Sequence, residues 1–208
     1  EISACLVGSE MCIRDSLITG HDYGIAFYTR FASYNTLEGN NITRNTYGVY
    51  LWDLPNYNTL TSNHVINNEN GILLYRAYNN VIFHNNIMDN KIQLTIVIHS
   101  KDDIFYNSWD DEYPSGGNYW DDYKEMDVKS GPDQNQLGPD GIGDKPYVIE
   151  EKNQDNYPLM GMFSDFDVTY PEETYHINVV SNSTVSNFKF EDLFVIPTNQ
   201  SLREIHFD

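Results

Sequence analysis

Apolar and polar positions alternate along the chain in short segments that recur every 22 to 24 residues. Three such segments start at Asn35, Asn58 and Asn80, and read NTLEGNNITRNTYGVYLW, NTLTSNHVINNENGILLY and NVIFHNNIMDNKIQLTIV. Because successive side chains on a strand point to opposite faces, strict alternation predicts strands with one buried side. A repeat of this length, built from short strands, is typical of a parallel β-solenoid with one coil per repeat.

Four apolar columns fall in register when the segments are aligned. We predict that they point inward and stack coil upon coil into one core. The columns are Ile25, Val49, Ile72 and Leu94; Phe27, Leu51, Leu74 and Ile96; Leu37, Leu60, Ile82 and Ile104; and Ile42, Val65, Ile87 and Trp109.

Asparagine and glycine form columns of their own, which we place at the turns between strands. Asparagine tolerates left-handed backbone angles, and its amide can bond to the equivalent amide about 4.8 Å away on the next coil. The columns are Asn35, Asn58, Asn80 and Asp102; Asn40, Asn63, Asn85 and Asn107; Asn45, Asn68 and Asn90; and Gly24, Gly48 and Gly71, with Gln93 in the next glycine position.

Together with the motifs NSWDDEYPSGGNYWDDY, DGIGDKPYVI and DNYPLM, the coils resemble the NosD-type repeats of the right-handed parallel β-helix family. That family also includes carbohydrate-binding and sugar-hydrolase-like proteins, and the motifs look much like those of secreted or surface proteins common in archaeal genomes. It covers about Leu17 to Phe163 and implies an all-β, right-handed parallel β-helix. The chain departs from the family in having only about four coils and in the interruption of the glycine column at Gln93.

The sequence divides into four parts. Residues 1–16 are expected to be non-native, because Glu10–Ser16 (EMCIRDS) resembles a translated transposon-end sequencing adapter. The rival interpretation is an ordinary strand carrying a cysteine pair. Residues 17–106 are predicted to form the coils, 107–163 an aromatic and acidic cap, and 164–208 part of an Ig-like β-sandwich. The start and the end of the chain are interpreted as truncations.

Charge narrows the range of partners. Twelve Lys and Arg stand against 31 Asp and Glu, which gives a formal net charge of −19. Such a field repels nucleic acid and anionic membrane surfaces. No apolar run reaches the roughly 18 residues that a membrane helix needs, so we predict no membrane span. The oligomeric state is left open.

One outward column carries aromatic residues and is our candidate ligand site. Tyr28, Trp52 and Tyr75 share a position, and Tyr50 lies two residues before Trp52. Aromatic rings pack against the C–H faces of sugars, so we predict a glycan platform, with cross-coil ring stacking as the structural alternative. Beside it, Arg30, Asp53 and Arg76 are predicted to form an ion-pair ladder. Only one carboxylate stands in this column, whereas glycoside hydrolysis normally needs two.

A second candidate site is the loop DQNQLGPDGIGD. Asp133, Asn135, Asp140 and Asp144 offer oxygen ligands, and the intervening glycines allow a tight wrap, as Ca²⁺ requires. Calcium is therefore a candidate cofactor, with a plain Asp/Gly turn as the alternative. Copper binding is not expected, because the histidines do not cluster by spacing.

These observations favour a non-catalytic, secreted or cell-surface β-helix protein that binds or scaffolds, with a polysaccharide or surface glycan as the expected partner. In a Gram-negative cell, the periplasm would be the corresponding location. One alternative is a polysaccharide lyase or hydrolase whose catalytic coils lie outside this sequence. The other is a periplasmic copper-handling accessory protein, an association that the NosD family name carries.

Overall fold

The computed structural model describes residues 3–7, 10–97, 106–150 and 153–163. These residues form eighteen strands and no α-helix. After β1 (Ser3–Val7), the strands fall into four coils of three and a cap. The coils are β2 (Glu10–Arg14), β3 (Leu17–Thr19) and β4 (Tyr23–Tyr28); β5 (Thr36–Glu38), β6 (Asn41–Thr43) and β7 (Tyr47–Trp52); β8 (Thr59–Thr61), β9 (His64–Ile66) and β10 (Asn70–Tyr75); and β11 (Val81–Phe83), β12 (Asn86–Met88) and β13 (Ile92–Val97). The cap contains β14 (Tyr119–Trp120), β15 (Lys129–Ser130), β16 (Gln136–Leu137), β17 (Tyr147–Glu150) and β18 (Asn153–Asp155).

Equivalent strands of successive coils pair in parallel and build three sheets. Sheet A has the order β1-β2-β5-β8-β11, with β1 antiparallel to its neighbour. Sheet B has the order β14-β12-β9-β6-β3, and sheet C has the order β13-β10-β7-β4. The predicted all-β parallel solenoid of about four turns is thereby confirmed.

The apolar core lies between the three sheets and follows the predicted columns. In sheet C, Ile25 pairs with Val49 and Val49 with Ile72, and these side chains are buried. Sheets A and B contribute buried columns in the same way, among them Leu37–Leu60–Ile82 and Ile42–Val65–Ile87. Because every coil repeats the same inward positions, the core is continuous along the solenoid.

Asparagine ladders run along the three turns, as predicted. Asn63 is typical: its Oδ1 accepts hydrogen bonds from the backbone N of Asn40 at 3.1 Å and from that residue's Nδ2 at 2.9 Å. Its own Nδ2 donates to Asn85 Oδ1 and to the Leu37 carbonyl, both at 2.9 Å. Each ladder amide thus satisfies buried polar groups of the coil on either side, which removes the penalty for burying them.

The reason we gave for asparagine at the turns was only partly right. The left-handed backbone conformation falls mainly on the residue before each ladder asparagine, with φ of 56° at Arg44, 54° at Tyr57 and 56° at Ser62. Ladder positions therefore require the asparagine amide itself, while the preceding position tolerates many residue types at a modest conformational cost.

The glycine column has a steric cause. A Cβ on Gly48 would lie 2.6 Å from the carbonyl oxygen of Gly71 and 3.0 Å from the Asn68 amide nitrogen. The same position on the last coil holds Gln93, and no strand beyond β13 belongs to sheet C among the described residues. A side chain therefore fits there, and Gln93 accepts a hydrogen bond from Asn90 at 2.7 Å and donates to Asp121.

The predicted register of the chain after the fourth coil was wrong. Asn107 accepts a hydrogen bond from Asn80, and Asn118 accepts one from Asn85. Asn107 therefore belongs to the ladder of Asn80 and not, as predicted, to that of Asn85. In the same way Trp120, and not Trp109, pairs with Ile87. The spacing of 22 residues lengthens here to 27 and 33, because the chain inserts residues before Asn107 and again before Asn118. Asp102 and Ile104 lie outside the described residues.

The described residues all belong to one compact unit, Glu1–Asp167. The predicted β-sandwich over residues 164–208 lies outside the described residues. At the other end, β2 pairs in parallel with β5 and so occupies the first-strand position of a coil. The adapter origin of residues 1–16 stays a prediction.

Candidate functional site

Sheet C carries a cluster of six aromatic side chains, here called the aromatic face: Tyr23, Tyr28, Tyr47, Tyr50, Trp52 and Tyr75. The parallel register places Tyr28 beside Trp52 and Trp52 beside Tyr75 on three neighbouring strands. Residues 50 and 52 alternate with the inward-pointing Val49 and Leu51, so their rings lie on the outer side of the sheet. The four residues that the sequence predicted for a platform are therefore brought together.

The rings of the aromatic face pack on one another. Trp52 stacks on Tyr75 with ring centroids 3.8 Å apart, and Tyr50 stacks on Trp52 at 5.4 Å. Tyr28 contacts Tyr50 at 5.6 Å. The cross-coil stacking that we considered as the structural alternative is thus present, and it holds the rings in fixed orientations.

Two members of the aromatic face were missed by the sequence analysis. Tyr23 and Tyr47 stack at 5.3 Å, and both contact the ring of Tyr50. They begin their strands, where alternation assigns them to the inner side. The available signal was their spacing of 24 residues, which equals that of Gly24 and Gly48.

Burial differs sharply within the aromatic face. Tyr50 at its centre is 8% exposed, whereas Tyr28 at its edge is 48% exposed. Burial, with the neighbouring Tyr23, Tyr28 and Tyr47, raises the pKa of Tyr50 to about 12. Burial also raises the pKa of Tyr28, assisted by Tyr23. The hydroxyls of Tyr50 and Tyr28 are therefore neutral near pH 7, and both residues can offer ring faces and hydroxyl groups without adding charge.

The predicted ion-pair ladder beside the aromatic face forms in part. Arg76 and Asp53 make a salt bridge at 3.1 Å. Arg30 instead lies over the ring of Phe31, at 5.1 Å from the centroid. The carboxylate of Asp53 is thus held by a cation on the neighbouring coil.

The cap closes the end of the solenoid with two tryptophans and two polar side chains that end the asparagine ladders. Trp109 and Trp120 are buried in the core cluster. Asn153 Oδ1 accepts hydrogen bonds from the backbone N of Asn107 and from the indole Nε1 of Trp109, both at 3.1 Å. Asp155 plays the equivalent role in the next ladder. Trp109 and Trp120 thus lie at the end of the core, and β18 supplies the side-chain acceptors that end the ladders.

Asp155 is a buried carboxyl group in an unusual setting. Its Oδ2 accepts from the backbone N of Asn118 at 2.7 Å and from Trp120 Nε1 at 2.9 Å, and its Oδ1 accepts from the backbone N of Tyr157 at 3.1 Å. Burial raises the pKa of Asp155 to about 7 against the lowering effect of these three donors. The sequence analysis did not single out this residue, because its partners lie 35 and 37 positions away.

The acidic loop is held by hydrogen bonds from backbone groups of the segment just before it and of the loop itself. Asp140 accepts from the backbone N of Gly131 and of Ile142, each at 3.1 Å, and Asp144 accepts from Val128 and Lys129 at 3.0 Å. Asp133 and Asn135 are exposed. In the part of the chain that the structure describes, no three His, Cys, Asp or Glu side chains are grouped closely enough to hold a metal ion. Calcium binding by Asp133, Asn135, Asp140 and Asp144 stays a prediction.

Two of the described histidines, His64 and His84, have different partners. His64 Nδ1 lies 3.3 Å from the Asn86 amide nitrogen, and the His84 ring stacks on Phe163 at 4.0 Å. Burial lowers the pKa of His84, against the raising effects of the Ser115 carbonyl and of Asp111.

Three parallel sheets, asparagine ladders and a tryptophan cap define a parallel β-solenoid protein with an aromatic outer surface. The chain belongs to the NosD family: the family model described as "Periplasmic copper-binding protein (NosD)" matches residues 3–125, more than half of the chain. Searches of the curated proteins and of the solved structures found no significant match. Among the described residues, no helix is long and apolar enough to cross a membrane.

Proposed function

We propose that this protein is a non-catalytic β-helix protein of the periplasm or cell surface that binds neutral glycans through its aromatic face. The observation that carries the proposal is the set of six rings fixed against one another on sheet C, with Tyr28 at the exposed edge. Preorganised rings lose little conformational freedom when a ligand binds. The family description supports the location outside the cytoplasm.

The electrostatics favour an uncharged ligand. Tyr50 at the centre of the face stays neutral, and the charge of Asp53 nearby is compensated by Arg76 at 3.1 Å. The net charge of −19 opposes uronates and other polyanions. A neutral sugar presents apolar C–H faces to the rings and hydroxyls to the phenol groups, so both parts of the surface contribute.

Binding without hydrolysis is the function that this chemistry supports. Hydrolysis of a glycosidic bond needs two carboxylates on either side of it, about 5 to 9.5 Å apart. The outward column beside the aromatic face, Arg30, Asp53 and Arg76, contains a single carboxylate, and Arg76 forms a salt bridge with it. The alternative of a polysaccharide-degrading enzyme requires acids elsewhere.

The proposal is tested on a panel of immobilised neutral and acidic glycans. We expect wild-type protein to retain at least one neutral glycan and the variant Trp52→Ala to bind it about tenfold more weakly at this face. Phe31→Ala removes an exposed ring outside the face and is the matched control. Circular dichroism would establish that each variant is folded. Failure of the wild type to bind any neutral glycan would refute the proposal.

Copper handling is the second candidate, and the family description is the observation that favours it. Titration with Cu²⁺, and with Cu⁺ under reducing conditions, separates the two candidates. Stoichiometric copper binding that leaves glycan binding unaffected would support a copper role beside the glycan role. Copper binding without glycan binding would favour the copper role alone.

A further inference from the structure

A second aromatic column follows the turn between sheets C and A, away from the aromatic face. Tyr34, Tyr57, Asn79 and Tyr106 each precede a ladder asparagine and occupy equivalent positions on successive coils. The backbone N of Tyr57 donates to the Asn79 carbonyl at 3.1 Å, and the backbone N of Asn79 donates to the Tyr106 carbonyl at 2.6 Å. The column therefore has the order Tyr–Tyr–Asn–Tyr along the solenoid.

The asparagine leaves a gap in this column. The rings of Tyr34 and Tyr57 stack with centroids 5.1 Å apart and planes inclined by 13°, so they follow one another along the solenoid. One face of Tyr57 packs on Tyr34, and on the next coil the equivalent position holds Asn79, which has no ring. Successive coils are about 4.8 Å apart, so the backbones carrying Tyr57 and Tyr106 are separated by about 9.6 Å.

A cavity of about 840 Å³ opens at this gap. It is bordered by Tyr57 and Tyr106, each 50% exposed, and we call it the tyrosine slot. A ring that contacts an aromatic surface on each side needs about 3.5 to 4.0 Å per contact. Two such contacts need about 7 to 8 Å, which is less than the roughly 9.6 Å between the backbones of Tyr57 and Tyr106. The slot therefore has room for one saturated sugar ring.

The lining of the tyrosine slot also contains hydrogen-bonding groups. Asp110 Oδ2 accepts from the backbone N of Asn156 at 3.0 Å and from its Nδ2 at 2.9 Å, and the Gln154 amide donates to Asn156 Oδ1. Asp110, Gln154 and Asn156 all line the cavity, whose lining includes no Lys or Arg. Carboxylate and amide groups suit sugar hydroxyls, whereas a lone carboxylate repels an anionic sugar.

We propose that the tyrosine slot binds a single pyranose unit of a neutral glycan, stacked on Tyr57 and hydrogen-bonded through its hydroxyls to Asp110 and Asn156. The ligand class rests on the proposed function, but the residues are separate from the aromatic face. The slot would give the protein two contact points for one chain or for two chains, which raises avidity without new contacts at either site. With Asp110 as its one carboxylate among the lining residues, the slot binds without hydrolysis.

The test counts glycan sites by isothermal titration with a neutral oligosaccharide selected from the panel. Asn79→Tyr fills the slot, and the backbone tolerates tyrosine there because Tyr57 has φ of 54° and Asn79 has φ of 55°. We expect two sites in wild type, one in Asn79→Tyr, one of unchanged affinity in Trp52→Ala, and in the double variant only residual binding at least about tenfold weaker. Tyr57→Ala should weaken the slot at least about tenfold, whereas Tyr34→Ala, which removes only the ring behind it, should leave binding within about twofold.

Other results would overturn the inference. If Asn79→Tyr and Tyr57→Ala keep the wild-type number of sites while Trp52→Ala loses one, the slot is refuted and the aromatic face stands. If the wild type binds no neutral glycan, both proposals fail. Equal affinity for an oligogalacturonate, or for choline as a small cation, would refute the assignment of a neutral sugar to the slot.

Discussion

Asp155 gives the cap a pH dependence that can be measured. Its pKa is raised from an ordinary value of 3.8 to about 7, mainly by burial. At a pH between these two values, Asp155 carries a proton in the folded protein but has released it in the unfolded chain. The stability that depends on this proton is therefore fully present below about pH 4, and it is lost as the pH rises through about 7.

The size of the effect follows from the shift. One pH unit corresponds to about 1.4 kcal/mol, so a shift of about three units corresponds to about 4 kcal/mol between pH 4 and pH 8. Substitution of Asp155 by Asn removes the titration. The amide oxygen of the new side chain can still accept hydrogen bonds from Asn118 and Trp120. Its amide nitrogen, however, is a donor and would face the backbone N–H of Tyr157, which thereby loses its acceptor. Leaving such buried donors unpaired costs about 1 to 3 kcal/mol, so Asp155→Asn should be less stable than wild type at pH 5.

Urea unfolding followed by tryptophan fluorescence measures this difference, since Trp109 and Trp120 are buried in the cap. We expect the stability advantage of wild type over Asp155→Asn to decrease by up to about 4 kcal/mol from pH 4 to pH 8. Asp133→Asn, which also removes one acid from the cap but at an exposed position, is the matched control. A difference between wild type and Asp155→Asn that stays constant over this pH range would refute the reasoning.

Three further predictions concern the ladder, the glycine column and the acidic loop. Asn63→Ala should destabilise the protein by about 2 to 5 kcal/mol in urea unfolding, because buried partners on both neighbouring coils lose their hydrogen bonds. The control Asn41→Ala, at an exposed position, should change stability by less than about 0.5 kcal/mol. Equal effects of the two substitutions would contradict the role of the ladder. Gly48→Ala should lower the melting temperature far more than Gln93→Ala, because only Gly48→Ala places a new Cβ 2.6 Å from the carbonyl oxygen of the next coil. An unchanged melting temperature in Gly48→Ala would show that the coils are not packed as described. Calcium binding by the acidic loop predicts a calcium-dependent rise in melting temperature that Asp140→Asn abolishes, and an unchanged melting temperature in the wild type would rule the site out.

The fold was readable from the sequence because its determinants repeat. Inward residues such as Val49 and Ile72 recur at a fixed spacing, and the parallel register follows directly from stacking identical positions. The same logic failed where the spacing changes. Two insertions after the fourth coil move Asn107 and Asn118 out of the 22-residue frame, and no periodic signal marks where the frame resumes.

The candidate sites were predictable only as far as they follow the repeat. Trp52 and Tyr75 could be paired by spacing, whereas Tyr23 could not, because alternation assigns it to the inner side although its ring contacts the outward Tyr50. Asp155 and the tyrosine slot depend on chain segments that meet only in the folded cap. Such contacts leave no local pattern in the sequence.

The most direct test of the functional account is glycan binding by the aromatic face alone. The measurement is a titration of a neutral oligosaccharide into the Asn79→Tyr chain, in which the tyrosine slot is closed, with and without Trp52→Ala. The account predicts one binding site before Trp52 is replaced, and affinity at least about tenfold lower afterwards, with the fold unchanged by circular dichroism. Equal affinity in the two folded chains, or no binding in either, would contradict it.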